Sequence, residues 1–237
     1  MIFDVITIFP ELFEPFCNES LIKRAKKKGI FDIRVHNLRD WADDKHKTVD
    51  EKPFGGGLGM VMKIEPIYKA VQELKSEARS PKSETNSKII LFTPRGKKFT
   101  QKKAYEFSKL DQIIMICGRY EGIDERVARY IADEKISIGD YVLMGGELPA
   151  MIIIETVTRL IPGVIGKPEF LAQHLISKKG EACPELVEGF LEHPQYTRPE
   201  VFEPAPGIQW KAPKALLSGD HKKIGEWHNK HGKIISK

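Results

Sequence analysis

The sequence predicts an α/β fold built on a parallel sheet, and three observations support this prediction. Ile113 to Cys117 is an uninterrupted apolar run, which is typical of a strand covered on both faces. Strand-like and helix-like segments alternate along most of the chain, and this order favours parallel strands. Glycine turns follow the strand-like runs near residues 93, 117 and 138, where open α/β sheets bind ligands.

The elements of this fold can be assigned in order along the chain. Strands are predicted at 1–9, 30–37, 88–93, 113–117 and 136–143. Helices are predicted at 10–28 with a break near Asn18, from Glu65 through Leu74, at 100–110 and at 148–161. Gly29 is a natural end for the first helical segment. The segment 39–63 is predicted as a long irregular loop, and loops of that length are usually functional or mobile.

The last predicted helix, 148–161, is apolar on nearly all sides. This composition predicts burial inside the protein or against a second subunit. Glu155 and Arg159 are four residues apart, so spacing alone favours an ion pair within the helix.

Two glycine turns dominate the middle of the chain. Gly118 and Gly122 bracket Arg119-Tyr120-Glu121, where the backbone can bend sharply and approach a ligand. A second turn runs from Gly139 to Gly146, and Pro149 suits the first turn of the helix that follows. Either turn alone could be an ordinary connection, whereas two adjacent turns can enclose one small molecule.

Composition places the chain among globular proteins. Of the residues, 41% are hydrophobic and 30% are charged, which is typical of a globular protein. A length of 237 residues suffices for one large domain with a small appendage. The net charge of +5 is compatible with an anionic partner. No membrane span and no secretory signal are expected, so the predicted location is the cytoplasm.

Several site classes lack support in the sequence. The three cysteines are odd in number and far apart, so neither a disulfide framework nor a Cys-x-x-Cys metal site is predicted. The histidines of the basic, aromatic C-terminal tail show no metal-ligand pattern. The sequence contains no Walker A motif, and Gly55-Gly56-Gly57-Leu58-Gly59 does not match the dinucleotide-binding fingerprint.

Taken together, the stretches 118–126 and 138–150 closely resemble the signature of the TrmD family of bacterial tRNA (guanine-N1)-methyltransferases, in the SPOUT superfamily. The resemblance extends to Phe9-Pro10 and to residues 44–50, 53–57, 161–164 and 194–200. It implies transfer of a methyl group from S-adenosylmethionine to N1 of guanine 37 of tRNA, which lies 3′ of the anticodon. It also implies a C-terminal trefoil knot in the sheet domain, a small, mainly helical C-terminal domain and a homodimer with a shared site.

The resemblance also implies which residues form the site. Arg159 matches the family's catalytic arginine, and Mg²⁺ is left open as a second cofactor. The implied domains are a methyltransferase domain at 1–162, a flexible linker at 163–189 and a tRNA-binding domain at 190–237. The implied cofactor-binding residues are Leu91, Phe92, Thr93, Pro94, Gly96, Gly118, Tyr120, Glu121, Gly122, Ile138, Gly139, Asp140, Tyr141, Val142, Leu143, Gly145, Gly146 and Pro149.

The chain departs from the family shortly before Gly189. An aspartate, the presumed general base, is expected there, but an ungapped count places Pro184 at that position. Glu185 is the nearest carboxylate and is predicted to replace the aspartate, with Glu188 next. The alternatives are another SPOUT enzyme that acts on ribose or rRNA, and an RNA-binding homologue with impaired catalysis.

Overall fold

The computed structural model describes residues 1–78, 86–166, 175–177 and 187–235. The chain divides into two compact units, Met1–Pro168 and Glu169–Lys237. The first unit contains a five-stranded sheet in the order β2-β1-β6-β5-β7, in which every neighbouring pair is parallel. This confirms the predicted α/β fold with a parallel sheet.

The described strands of the first unit form two sheets. The main sheet consists of β1 (Ile2–Thr7), β2 (Asp32–Asn37), β5 (Ser87–Lys98), β6 (Gln112–Ile116) and β7 (Glu134–Ser137). The short strands β3 (Asp50–Glu51) and β4 (Val61–Met62) form an antiparallel pair inside the long loop predicted at 39–63.

Several helices of the first unit are bounded by residues that cap the helix or end it. They are α1 (Glu14–Cys17), α2 (Ser20–Lys27), α3 (Ile64–Ala78), α4 (Gln101–Phe107), α5 (Glu125–Tyr130) and α6 (Glu147–Thr158), with short 3-10 turns at Pro10–Phe13 and Leu38–Trp41. Side-chain oxygens of Thr100 and Asp124 accept backbone N–H bonds at the starts of α4 and α5. Gly29, at φ +68°, follows the end of α2, and the predicted break near Asn18 separates α1 from α2. Among the described residues no helix has both the length and the apolar character to cross a membrane.

The core lies on both faces of the sheet. All five residues of β6 are buried, as the apolar run predicts. One face of α3, with Ile67, Ala70, Val71 and Leu74, packs on one side of the sheet, and Ile153, Ile154 and Val157 of α6 pack on the other. The fold therefore buries the predicted face of α3, and it buries the side of α6 that carries Ile153, Ile154 and Val157.

Two strand ends differ from the prediction. β5 does not stop at Thr93 but continues to Lys98, with a register shift against β7 between Phe92 and Lys97. The predicted turn at 94–96 is thus an irregularity inside a longer strand. β7 ends at Ser137 and not at Leu143, because the Ser137 hydroxyl donates to the Gly139 carbonyl at 2.9 Å and redirects the chain.

The second unit contains strands as well as helices. Leu175–Ser177, Val187–Glu192 and Lys233–Ile235 form an antiparallel sheet, and Val201–Ala205 pairs with Ile208–Lys211. Its helices are Lys214–Leu217 and His221–His231. The described residues do not by themselves make the mainly helical domain that the resemblance implies. The strand Leu175–Ser177 and the start of Val187–Glu192 lie in the range 163–189 predicted as a linker.

Aromatic rings give the second unit a small cluster of its own. The Trp227 ring stacks on His231 with 4.3 Å between ring centroids and meets Tyr196 edge-on at 5.9 Å. His193 and His228 stack at 3.7 Å, and burial together with the neighbouring His193 lowers the pKa of His228. These ring contacts pack the described part of the second unit around Trp227 and His228.

Candidate active site

A groove of about 590 Å³ lies at the carboxyl ends of the adjacent strands β6, β5 and β7. Because these strands are parallel neighbours, the turn after β6 and the loop after β7 meet at one edge of the sheet, beside residues 91–95 at the irregularity of β5. The predicted cofactor residues that line the groove are Leu91, Phe92, Thr93, Pro94, Gly118, Tyr120, Glu121, Gly122, Ile138, Tyr141, Val142, Leu143, Gly145, Gly146 and Pro149.

Three predicted cofactor residues are not part of the groove wall. Gly96 lies against β7, where a Cβ would come within 2.6 Å of the backbone nitrogen of Ile136. A Cβ on Gly139 would meet the Tyr141 ring at 2.3 Å. Asp140 points its carboxylate to Lys98 in an exposed ion pair. Gly96 is required by packing between two strands, Gly139 by a contact within its own loop, and Asp140 lies on the surface.

The groove also contains residues that the sequence reading did not select. They are Arg95, Arg119, Ile123, Glu125, Ala128, Lys135, Ile136, Ser137 and Met144. Arg119 and Met144 lie inside the two recognised stretches, so the motif could have indicated them. Ala128, in contrast, comes from one face of α5, which only the folded chain brings to the groove.

The turn after β6 is fixed by the loop that carries β4. The backbone N–H of Glu121 donates to the Met60 carbonyl at 3.0 Å, and Met62 donates to the Gly122 carbonyl at 3.0 Å. Tyr120 adopts φ +58° and Gly122 φ +130°, which reverses the chain within a few residues. Glu121 is therefore held at the groove by a turn with a fixed backbone.

A buried ion pair lies beside this turn. Arg119 Nε donates to Glu147 Oε2 at 2.9 Å, and the hydroxyl of Thr7 donates to Glu147 Oε1 at 2.7 Å. The Glu147 side chain is 2% exposed and that of Arg119 is 20% exposed. The Phe9 ring covers the guanidinium at 4.7 Å from its centroid. The network joins the end of β1, the turn after β6 and the start of α6.

Cys117 lies one residue before the groove residue Gly118, and its environment opposes ionisation. Burial raises the pKa of Cys117 well above its ordinary value, and the negative charge of Glu147 raises it further against the opposing effect of Arg119. A thiol that stays protonated is a poor nucleophile and a poor metal ligand.

Arg159, the predicted catalytic arginine, lies at the far end of α6. The helix begins at the groove with Glu147, whereas Arg159 is its C-terminal cap residue and does not line the groove. Within the described residues Arg159 and Glu155 form no ion pair, so the pairing favoured by their spacing is not made. Burial raises the pKa of the Tyr105 phenol, and the positive charge of the nearby Arg159 opposes this shift.

The predicted general base Glu185 and the neighbouring Pro184 lie outside the described residues. Within the parts of the chain that are described, no group of three or more His, Cys, Asp and Glu side chains is placed to hold a metal ion.

Comparisons with known proteins agree on one family. The family model for tRNA (guanine-1)-methyltransferase, TrmD, matches residues 1–235. The chain is 50% identical over 227 residues to the tRNA (guanine-N(1)-)-methyltransferase of Dictyoglomus turgidum, covering 96% of this chain and 83% of that protein. It is 44% identical over 237 residues to the enzyme of the same name from Clostridioides difficile, covering 100% and 94% of the two chains. The Bacillus subtilis enzyme of that name is 45% identical over 227 residues, which cover 96% and 85%.

Proposed function

The chain belongs to the TrmD family and methylates N1 of a guanine in tRNA, and on this premise we propose that the groove binds the methyl donor S-adenosylmethionine. We further propose that the target is guanine 37, immediately 3′ of the anticodon. The observation that carries the proposal is the convergence on one groove of residues 91–95 within β5, the turn after β6 and the loop after β7. The cytoplasm, which contains tRNA, is the proposed location.

The residues of the groove fit this donor. Its volume of about 590 Å³ lies within the ~300–1,000 Å³ usual for small-molecule sites. Leu91, Ile136 and Leu143 offer apolar surface to an adenine ring. The carboxyl of Glu121 complements a positive sulfonium, and the glycines of the two turns allow backbone to approach a ligand closely.

Methylation at N1 makes two demands on the protein. Neutral guanine carries a proton on N1, so the site needs a base near N1 and a cation near O6, where charge develops. Bound S-adenosylmethionine supplies an electrophilic methyl group. We assign the cation to Arg159 and the base to Glu185, and the groove aligns the reacting atoms.

The position of Arg159 favours a site shared between two copies of the chain. Arg159 lies ten residues beyond Pro149 on α6, so about 15 Å of helix separates it from its own groove at 1.5 Å per residue. In a homodimer it can serve the groove of the partner copy. Leu148 and Ile152 leave an apolar side of α6 exposed, which a second copy can cover.

The course of the chain after β7 is compatible with a trefoil knot, which we propose as part of this fold. β7 lies at the sheet edge beyond β5, yet the following loop returns to β6, where Gly146 donates to the Gly118 carbonyl at 3.0 Å. α6 then packs against β1 and α4.

A methyl-transfer assay on total tRNA, followed by nucleoside analysis, tests the function. We expect 1-methylguanosine, and a transcript with guanine 37 replaced by adenine should lose it. A ribose-methylated product or a product in rRNA only would favour another SPOUT activity. Donor binding without transfer to any RNA would favour an RNA-binding homologue with impaired catalysis.

Variants test the two assigned roles. Arg159→Ala should retain its affinity for the methyl donor and lose turnover. Glu185→Gln should slow single-turnover methyl transfer by about 100-fold, which is the usual scale for a lost general base. Glu188→Gln tests the second candidate and should leave the rate unchanged if Glu185 is the base. An unchanged rate in Glu185→Gln would move the role to another group. Sedimentation at micromolar concentration tests the homodimer, and EDTA titration of the assay tests the accessory Mg²⁺.

A further inference from the structure

Glu147 is a buried carboxylate next to the groove that the chemistry of methyl transfer does not require. It is 1% exposed as a residue, and both of its carboxyl oxygens are occupied, one by Arg119 and one by Thr7. No step of the proposed reaction uses its charge, so its presence at this position needs another explanation.

Stability is a weak explanation for such a group. Moving a carboxylate out of water is costly, and a buried ion pair often stabilises a protein no better than apolar residues of similar volume. A buried pair with two directed hydrogen bonds does, however, fix geometry, because each partner accepts only a narrow range of positions.

Both turns of the groove are attached to this pair. Arg119 lies in the turn after β6, between the groove residues Gly118 and Tyr120. Glu147 directly follows Gly145 and Gly146, which also line the groove, and the backbone N–H of Gly146 donates to the Gly118 carbonyl at 3.0 Å. A Cβ on Gly145 would come within 2.3 Å of Arg119 Nε and 2.5 Å of Glu147 Oε2, so the loop passes directly over the ion pair.

The third partner connects the pair to the sheet. Thr7, the last residue of β1, is fully buried; its hydroxyl donates to Glu147 and accepts the backbone N–H of Phe9 at 3.0 Å. Phe9 in turn places its ring over the Arg119 guanidinium. The ion pair is therefore anchored to a buried strand and does not depend on the turns alone.

We propose that Glu147 is a positioning residue, which holds Arg119 and the two glycine turns in the arrangement that binds the methyl donor. The inference rests on the proposed function of the groove. Glu147 itself contacts neither donor nor tRNA, and its effect is exerted through Arg119 and through the loop that ends at Gly146.

Glu147→Gln keeps the shape of the side chain and removes its charge. Calorimetry should show S-adenosylmethionine binding weakened about tenfold, equal to ~1.4 kcal/mol. The KM for S-adenosylmethionine should rise by a similar factor, whereas the KM for tRNA and kcat at saturating donor should stay within about twofold. Glu106→Gln, the same change at the exposed ion pair with Lys103, is the matched control and should alter none of these values.

Thr7→Val provides a second, milder variant in case Glu147→Gln does not fold. It removes the hydrogen bond to Glu147 Oε1 and should raise the donor Kd about threefold. Unchanged donor affinity in every variant that folds, or equal increases in both KM values, would overturn the inference. If the parent protein itself does not bind S-adenosylmethionine, the proposed function of the groove fails instead.

Discussion

Glycines are concentrated in two regions of the molecule, the loop 55–59 and the turns around the groove, and the physical requirement differs between them. Gly55 and Gly56 adopt φ +85° and +79°, and a Cβ on either would meet nothing within 4 Å. Gly145 and Gly146 have no positive φ, yet a Cβ there would meet other atoms at 2.3 and 2.7 Å. Gly55 and Gly56 need the backbone freedom of glycine, whereas Gly145 and Gly146 need the missing side chain.

This difference matters for reading a functional site. A glycine required for its φ gives information only about the local path of the chain. A glycine required for space shows that two distant segments touch there, and around this groove the touching segments carry the binding surface. Alanine substitutions separate the two requirements, because alanine adds one methyl group and little else.

The largest effect is expected for Gly146→Ala. Its Cβ would lie 2.7 Å from the Cα of Cys117, a buried backbone atom that cannot move away easily. Overpacking of this kind costs up to about 3 kcal/mol of unfolding free energy. Urea unfolding measures it, with Gly166→Ala, where a Cβ would meet nothing within 4 Å, as the control. Equal stability of the two variants would contradict the steric explanation.

Gly145→Ala should have the next largest effect, through the ion pair. The new methyl group would displace Arg119 from Glu147, at a cost of about 2 kcal/mol, less than for a fully buried pair because Arg119 is partly exposed. The affinity for S-adenosylmethionine should fall together with the stability. Gly118→Ala is the comparison variant, since its Cβ would meet only the Ile123 side chain at 3.2 Å. If Gly118→Ala proved the more damaging of the two in unfolding and binding assays, the contact with the ion pair would not be the cause.

Gly56→Ala should cost about 1 kcal/mol, which is the usual penalty of a left-handed conformation for a residue with a Cβ. Asparagine tolerates that conformation better, so Gly56→Asn should lose less stability than Gly56→Ala. Thermal unfolding of both variants measures the difference. Equal losses in the two variants would show that φ is not what requires glycine in the loop.

Gly225→Ala should have the smallest effect and the opposite sign. Gly225 lies inside the helix His221–His231, where a Cβ would meet nothing and φ is not positive, so neither requirement applies. Alanine should stabilise that helix by about 0.8 kcal/mol. Slower hydrogen exchange of the helix amides checks this locally. Faster exchange would mean that Gly225 is required for a reason other than a positive φ or a lack of space for a Cβ.

Much of the fold was accessible from the sequence because its signals are local. The apolar run of β6, the buried face of α3 and the break before α2 are all confirmed, since each depends on residues close together in the chain. The methyl-transfer reaction could be assigned because the stretches 118–126 and 138–150 resemble one family. The match of that family's model to residues 1–235 confirms the assignment to the family. Most residues predicted for the cofactor do line one groove.

Only the tertiary structure decided how these local pieces meet. β5 runs on to Lys98 because β7 offers it a partner, and pairing of this kind leaves no mark in the sequence of β5 alone. The same contact explains Gly96, which lies against β7 and outside the groove. Glu147 meets Arg119 across 28 positions and Thr7 across 140, so no local pattern could assign its partners. Spacing and composition report on neighbours in the chain, whereas a buried charge is placed by neighbours in space.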